Sequence, residues 1–180
     1  MTSTASSFAL RTLLSQFIGV VLVALPLQLA WADDSLETVK SRMSGVYTLQ
    51  EWSKDGIRYV SPQVDGRFVL LNGVIMTILY NRMQPPNQIS TVLVGRYVLN
   101  ADRFSYGYDE VSVVTESADA ANISHKPLWD GMRNFTVSVE NDAVRLREEN
   151  GTREFVFASE ELNYFEKGKL LRKWRRTADK

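Results

Sequence analysis

The sequence predicts an all-β domain: an antiparallel up-and-down barrel of roughly eight to ten strands, with a short helix or arm in front of it. Three observations lead there. From Gly45 onward, segments rich in Val, Tyr, Phe, Leu and Thr alternate with a period of two. Turn residues separate these segments at short intervals, leaving no room for the crossover helix that a parallel pair requires. A meander of this size also has two edges to protect, and closure into a barrel removes them.

The elements follow in order. Arg11 precedes an apolar run from Leu13 to Leu29, which ends in Ala30-Trp31-Ala32 before Asp33-Asp34. A basic flank, an apolar core and a small-x-small site make residues 1–32 a secretory signal peptide, cut after Ala32. The competing reading is an uncleaved anchor, since the run approaches the ~20 residues of a spanning helix. Pro26 and the small residues at the cleavage site favour processing. The expected location is therefore periplasmic or secreted. Residues 33–44 read as a leader helix or arm, with Leu36, Val39 and Met43 at helical spacing and Ser35 or Thr38 as a cap.

The barrel domain occupies residues 45–180. Lys54-Asp55-Gly56 joins Val46–Ser53 to Ile57–Val60, and Asp65-Gly66 opens Arg67–Leu71. Asn72-Gly73 then leads into Val74–Tyr80, because Asn-Gly supplies the positive φ angles of a tight hairpin. Asn81 to Ser90 reads as a long loop, followed by strands Thr91–Leu99 and Phe104–Thr115. Ser117 to Gly131 is a second long connection. Strands Arg133–Glu140, Val144–Glu149, Glu154–Ala158, Leu162–Phe165 and Lys169–Arg176 complete the chain. Phe68–Leu71 and Val74–Leu79 are apolar on both faces, so one face is expected inside the barrel and the other beneath the leader helix or a loop.

Composition narrows the function. Removing 32 of the 180 residues leaves 148, enough for one core, with one more acidic than basic residue. That balance argues against nucleic acid, whose phosphates call for clustered Lys and Arg. The chain has no cysteine, so an exported domain must hold together by packing alone. Three N-x-S/T sites, at Asn122, Asn134 and Asn150, read as turn chemistry rather than glycan acceptors.

Several short motifs occur in a recognisable order: Gly45-Val46-Tyr47 followed by Trp52, then Gly66, Gly73, Gly95-Arg96-Tyr97, Pro127-Leu128-Trp129-Asp130-Gly131 and Trp174-Arg175-Arg176. Together they resemble the bacterial lipocalin-like domain family over nearly all of Gly45 to Arg176. The family usually has Trp where this chain has Tyr47. The resemblance implies that Gly45, Tyr47, Trp52, Trp174 and Arg175 close the barrel. It also implies that a basic residue of the last strand, Arg175 or Arg176, lies over the Tyr47 ring.

Candidates for chemistry are few. His125 is the sole histidine; Glu116 and Asp119 lie on a nearby loop but read as ordinary solvated charges, which leaves His125 as a lone general base at most, and no Gly-x-Ser-x-Gly turn exists. No catalytic set, metal site or cofactor is assigned. Phe104, Tyr106 and Tyr108 share one strand face, and Arg96 and Tyr97 lie on the strand before. These five are the candidate ligand-binding residues. Whether Leu93, Tyr97 and Leu99 or Val92, Val94 and Val98 point inward stays open at this level. The C-terminal strand is basic, with Lys167, Lys169, Arg172, Lys173, Arg175, Arg176 and Lys180. It reads as a solvated strand or as a patch for anionic lipid or an acidic protein.

Three functions remain: an exported barrel that binds a small, largely apolar molecule; a filled barrel acting as an accessory protein; and an isomerase- or cyclase-type barrel enzyme. Interior volume separates them. A cavity of ~300 Å³ or more lined by Tyr97, Tyr106 and Tyr108 favours the first or third. An inward His125, Arg96 or Glu110 would favour the enzyme.

Overall fold

The structure, a computed structural model, describes residues 35–127 and 130–177. The expected signal peptide lies outside the described residues, as do Leu128 and Trp129 of the Pro-x-Trp-x-Gly segment and Lys180 of the basic terminus.

Residues 35–43 are helical, and twelve strands follow. They are β1 (Gly45–Lys54), β2 (Ile57–Tyr59), β3 (Val64–Leu71), β4 (Val74–Gln84), β5 (Asn87–Leu99) and β6 (Arg103–Glu116). Then come β7 (Ala121–His125), β8 (Arg133–Glu140), β9 (Ala143–Glu148), β10 (Arg153–Phe157), β11 (Glu161–Glu166) and β12 (Lys169–Arg176). All pairings are antiparallel. β12 returns to β1, from Tyr47↔Arg176 to Trp52↔Arg172, and the sheet closes.

The ring has ten strands, because two of its members are each interrupted once. β2 and β3 run along the same edge of β1, and β7 and β8 along the same edge of β6. Between the β1 pairings Thr48↔Arg67 and Trp52↔Tyr59, the β2–β3 side carries seven residues against three. The excess is taken up at 60–63, where the amides of Gln63 and Val64 both donate to the Val60 carbonyl. Chain order is then ring order, an up-and-down barrel. An even number of strands lets the last run antiparallel to the first.

The hairpin turns have the expected chemistry. Asp55-Gly56, Asn72-Gly73 and Lys167-Gly168 all sit at positive φ in both positions, the geometry that matches strand twist. Three expectations change. Asp65-Gly66 is not a turn but part of β3, where a Cβ on Gly66 would lie 2.3 Å from the Ile78 carbonyl oxygen. Asn81 to Ser90 is largely paired, since β4 and β5 continue to Gln84↔Asn87 and leave only Pro85-Pro86 to turn. The second long connection contains β7, paired with Ser112–Glu116.

The helix caps one end of the barrel. Val39 and Met43 are buried in the core with Tyr47, and the Tyr47 hydroxyl donates to the Met43 carbonyl at 2.9 Å. The outer faces of β3 and β4 are therefore not sealed as expected, and Leu71 and Val74 stay exposed. The half of the interior beside the helix is filled by aromatic rings. Phe135 packs against Phe104 at 6.0 Å and Phe155 at 5.6 Å, while Tyr47 meets Phe157 at 6.0 Å.

A bulge re-aims β6. Val94 pairs with Glu110 but Gly95 with Tyr108, so Asp109 is an extra residue. The inward set shifts from Phe104, Tyr106 and Tyr108 to Val111, all buried. Gly95 permits this. A Cβ there would lie 1.9 Å from the Gly107 carbonyl oxygen. On β5, Leu93, Tyr97 and Leu99 pack against the core, and Val98 is exposed.

Candidate functional site

The half of the barrel away from the helix holds a cavity of about 290 Å³. Its apolar wall comes from Trp52, Phe68, Leu79, Leu93, Phe155 and Trp174. The hydroxyl-bearing residues Thr77, Thr91, Tyr106, Tyr108 and Tyr164 also line it. Two arginines, Arg133 and Arg172, complete the described lining, which includes no Asp or Glu.

The local pattern explains each placement. Phe68 is an inward residue of β3, and Thr77 and Leu79 are inward residues of β4, two positions apart. Thr77 takes an interior position because its hydroxyl finds a partner, Tyr108 Oη, at 3.0 Å. Arg172 and Trp174 share a face of β12, and Arg172 lies opposite Trp52 of β1. Across that pair the Arg172 guanidinium stacks over the Trp52 ring, 4.2 Å from its centroid, and stands 5.7 Å from that of Tyr164.

Burial sets the electrostatics. It pushes the phenols of Tyr106, Tyr108 and Tyr164 above the ordinary tyrosine value, so all three are neutral hydroxyls at physiological pH. Burial also pulls Arg172 below the ordinary arginine value. Its guanidinium makes no hydrogen bond or ion pair with any described residue, and Nε is out of contact with solvent. Its neighbours differ. Arg153 bridges Glu148 at 3.0 Å and Glu166 at 3.2 Å, and Arg133 stands 4.0 Å from Glu148.

The sequence-derived candidates separate. Tyr106 and Tyr108 line the cavity. Phe104 belongs to the filled half, and Tyr97 packs against it at 5.6 Å. Arg96 points outward and pairs with Asp109 at 2.9 Å, so it is not a cavity residue. With Tyr97, Gly107 and Met132 it borders an outer cleft of about 490 Å³. His125 sits on exposed β7, with Nδ1 3.1 Å from Ser112 Oγ, and Glu110 is exposed. None of these three ionisable groups reaches the cavity. Among the described residues no three of His, Asp or Glu gather as metal ligands.

The closure residues also separate. Tyr47, fully buried, carries the Arg176 guanidinium 5.2 Å above its ring, with Gly45 beside both. Arg175 is exposed because alternation turns it outward, so Arg176 is the cation at this end. Trp52 and Trp174 stand in the cavity wall rather than at the plugged end. Arg133, Arg172, Tyr164 and Thr77 were not foreseen. A signal for Arg172 was present, since it shares parity with Trp174, but a basic stretch at the end of a chain reads first as solvated.

The class of protein is thus a closed ten-stranded antiparallel barrel, plugged at one end by a helix and hollow in the other half. No family model, curated protein or solved structure matches the chain.

Proposed function

We propose that this protein is an exported, lipocalin-like carrier that takes a small, largely apolar molecule into the barrel. The observation that supports this most is the cavity. Its volume of about 290 Å³ sits at the threshold for ligand sites, and Tyr106 and Tyr108 line it although Tyr97 does not. A scaffold has no reason to keep such a space. Voids left in a core destabilise it in proportion to their volume, and larger side chains would remove the cost. The helix plug leaves the hollow half as the route of entry.

The reading of an exported carrier rests further on the signal-like residues 1–32 and on the ordered motifs from Gly45 to Trp174. Native mass spectrometry of the protein from its own periplasm tests it. The expected result is a chain beginning at Asp33 with a small-molecule adduct that is lost on denaturation. A bare mass, together with failure to bind either the neutral apolar dye N-phenyl-1-naphthylamine or its sulfonated analogue 8-anilinonaphthalene-1-sulfonate, would end the carrier reading.

A further inference from the structure

We infer that the molecule carried in the barrel ends in a single anionic oxyacid group, such as a carboxylate or sulfonate, seated on the guanidinium of Arg172. The inference rests on the carrier reading above and names the ligand class of the same site.

The argument begins with charge. Around the hollow half, three guanidinium groups face two carboxylates. Arg153 and Arg133 share Glu148, and Arg153 also takes Glu166. Arg172 is left over: it makes no ion pair with a described residue, feels the Glu166 carboxylate only at a distance, and its buried Nε has no hydrogen-bond partner. A cation taken from water into an apolar wall is retained only where something compensates it. The neighbouring phenols cannot, because burial keeps Tyr106, Tyr108 and Tyr164 in their neutral forms. The Trp52 ring face supplies attraction for the cation but no negative charge.

Geometry agrees with charge. Arg172 lines the cavity with its Cζ 4.2 Å from the Trp52 centroid, and a guanidinium so placed can meet a planar or tetrahedral oxyanion with two parallel hydrogen bonds from its Nη atoms. The remaining cavity wall offers hydroxyl groups and rings but no described carboxylate to repel an anion. Phe68, Phe155 and Trp174 are left to hold the apolar body. Arg133, already near Glu148, acts at most as a second donor.

A pair of dyes that differ only in the anion tests this. 8-Anilinonaphthalene-1-sulfonate and N-phenyl-1-naphthylamine share one aromatic skeleton, and the second lacks the sulfonate. Fluorescence titration of the parent should show the sulfonate binding at least tenfold more tightly. Arg172→Met keeps the bulk and removes the charge. It should lose at least tenfold in affinity for the sulfonate and hold the neutral dye within about threefold. Lys169→Met, exposed on the same strand, should change neither. The melting temperature of Arg172→Met should not fall below that of the parent, since the substitution removes a half-buried cation that makes no ion pair. Equal binding of the two dyes by the parent would overturn the anion inference and leave the carrier reading intact, whether or not the variant folds. Binding of neither dye would overturn both.

Discussion

Arg176 of the last strand lies over the ring of Tyr47 in the first, with its carbon 5.2 Å from the ring centroid and Nη2 donating to the tyrosine hydroxyl at 2.8 Å. The same guanidinium donates to the Arg42 carbonyl, and the hydroxyl donates to the Met43 carbonyl. One contact therefore ties three things together: the seam where the barrel closes, the end of the helix, and the filled half of the core. Its disruption should be felt globally.

Tyr47→Ala should cost ~3–5 kcal/mol, because the ring is fully buried against Phe68 and Phe157. Tyr47→Phe keeps the ring and removes the hydroxyl. It should cost ~1–3 kcal/mol, since the Met43 carbonyl and Arg176 each lose a partner. Urea unfolding of the parent and both variants measures the order. An Ala variant as stable as the parent would place Tyr47 outside the core.

Stability should fall at alkaline pH. Burial raises the Tyr47 phenol to about 12, and nearby Arg176 offsets this only in part. A folded pKa above the unfolded value means that the folded state holds its proton more tightly. This contribution is complete below pH ~10 and is lost as pH rises from there through about 12. Tyr106, Tyr108 and Tyr164 are shifted in the same direction and add to the loss. Urea midpoints between pH 8 and 12, read with tyrosinate absorbance, should fall steadily. A flat profile would contradict the burial of these phenols.

Gly95→Ala should destabilise the barrel by ~1–3 kcal/mol or more. The added Cβ would meet the Gly107 carbonyl oxygen at 1.9 Å and the Tyr108 Cα at 2.7 Å, backbone atoms that cannot turn aside. The bulge at Asp109 would have to shift, moving Tyr108 away from Thr77. The melting temperature gives the cost, and dye affinity reports the damage to the cavity. A neutral outcome would mean that β5 and β6 stand further apart.

Arg96→Ala should change little. Its ion pair with Asp109 is exposed and screened by solvent, so little is lost with it. Binding of the neutral dye should also be unaffected, because Arg96 borders the outer cleft and not the cavity. A tenfold loss of dye affinity would move the binding site to that cleft.

The barrel was legible in the sequence because its causes are local. Asn72-Gly73 and Asp55-Gly56 turn where they do through their own φ preferences, and period-two alternation marks Phe135 and Val137 or Val144 and Leu146 whatever the neighbouring strand. Leu36, Val39 and Met43 likewise showed a helical face. What the sequence could not decide is what depends on partners far along the chain. The bulge at Asp109 arises from the approach of Gly95 to Gly107, and it alone determines where the inward face of β6 changes parity. Strand β7 exists because Ser112–Glu116 offers it an edge. Arg172 reads as one more charge in a basic tail until closure sets it against Trp52, 120 residues earlier in the chain. Turn chemistry and alternation act within a few residues, whereas the cavity and its cation come from side chains that meet only when the ring closes.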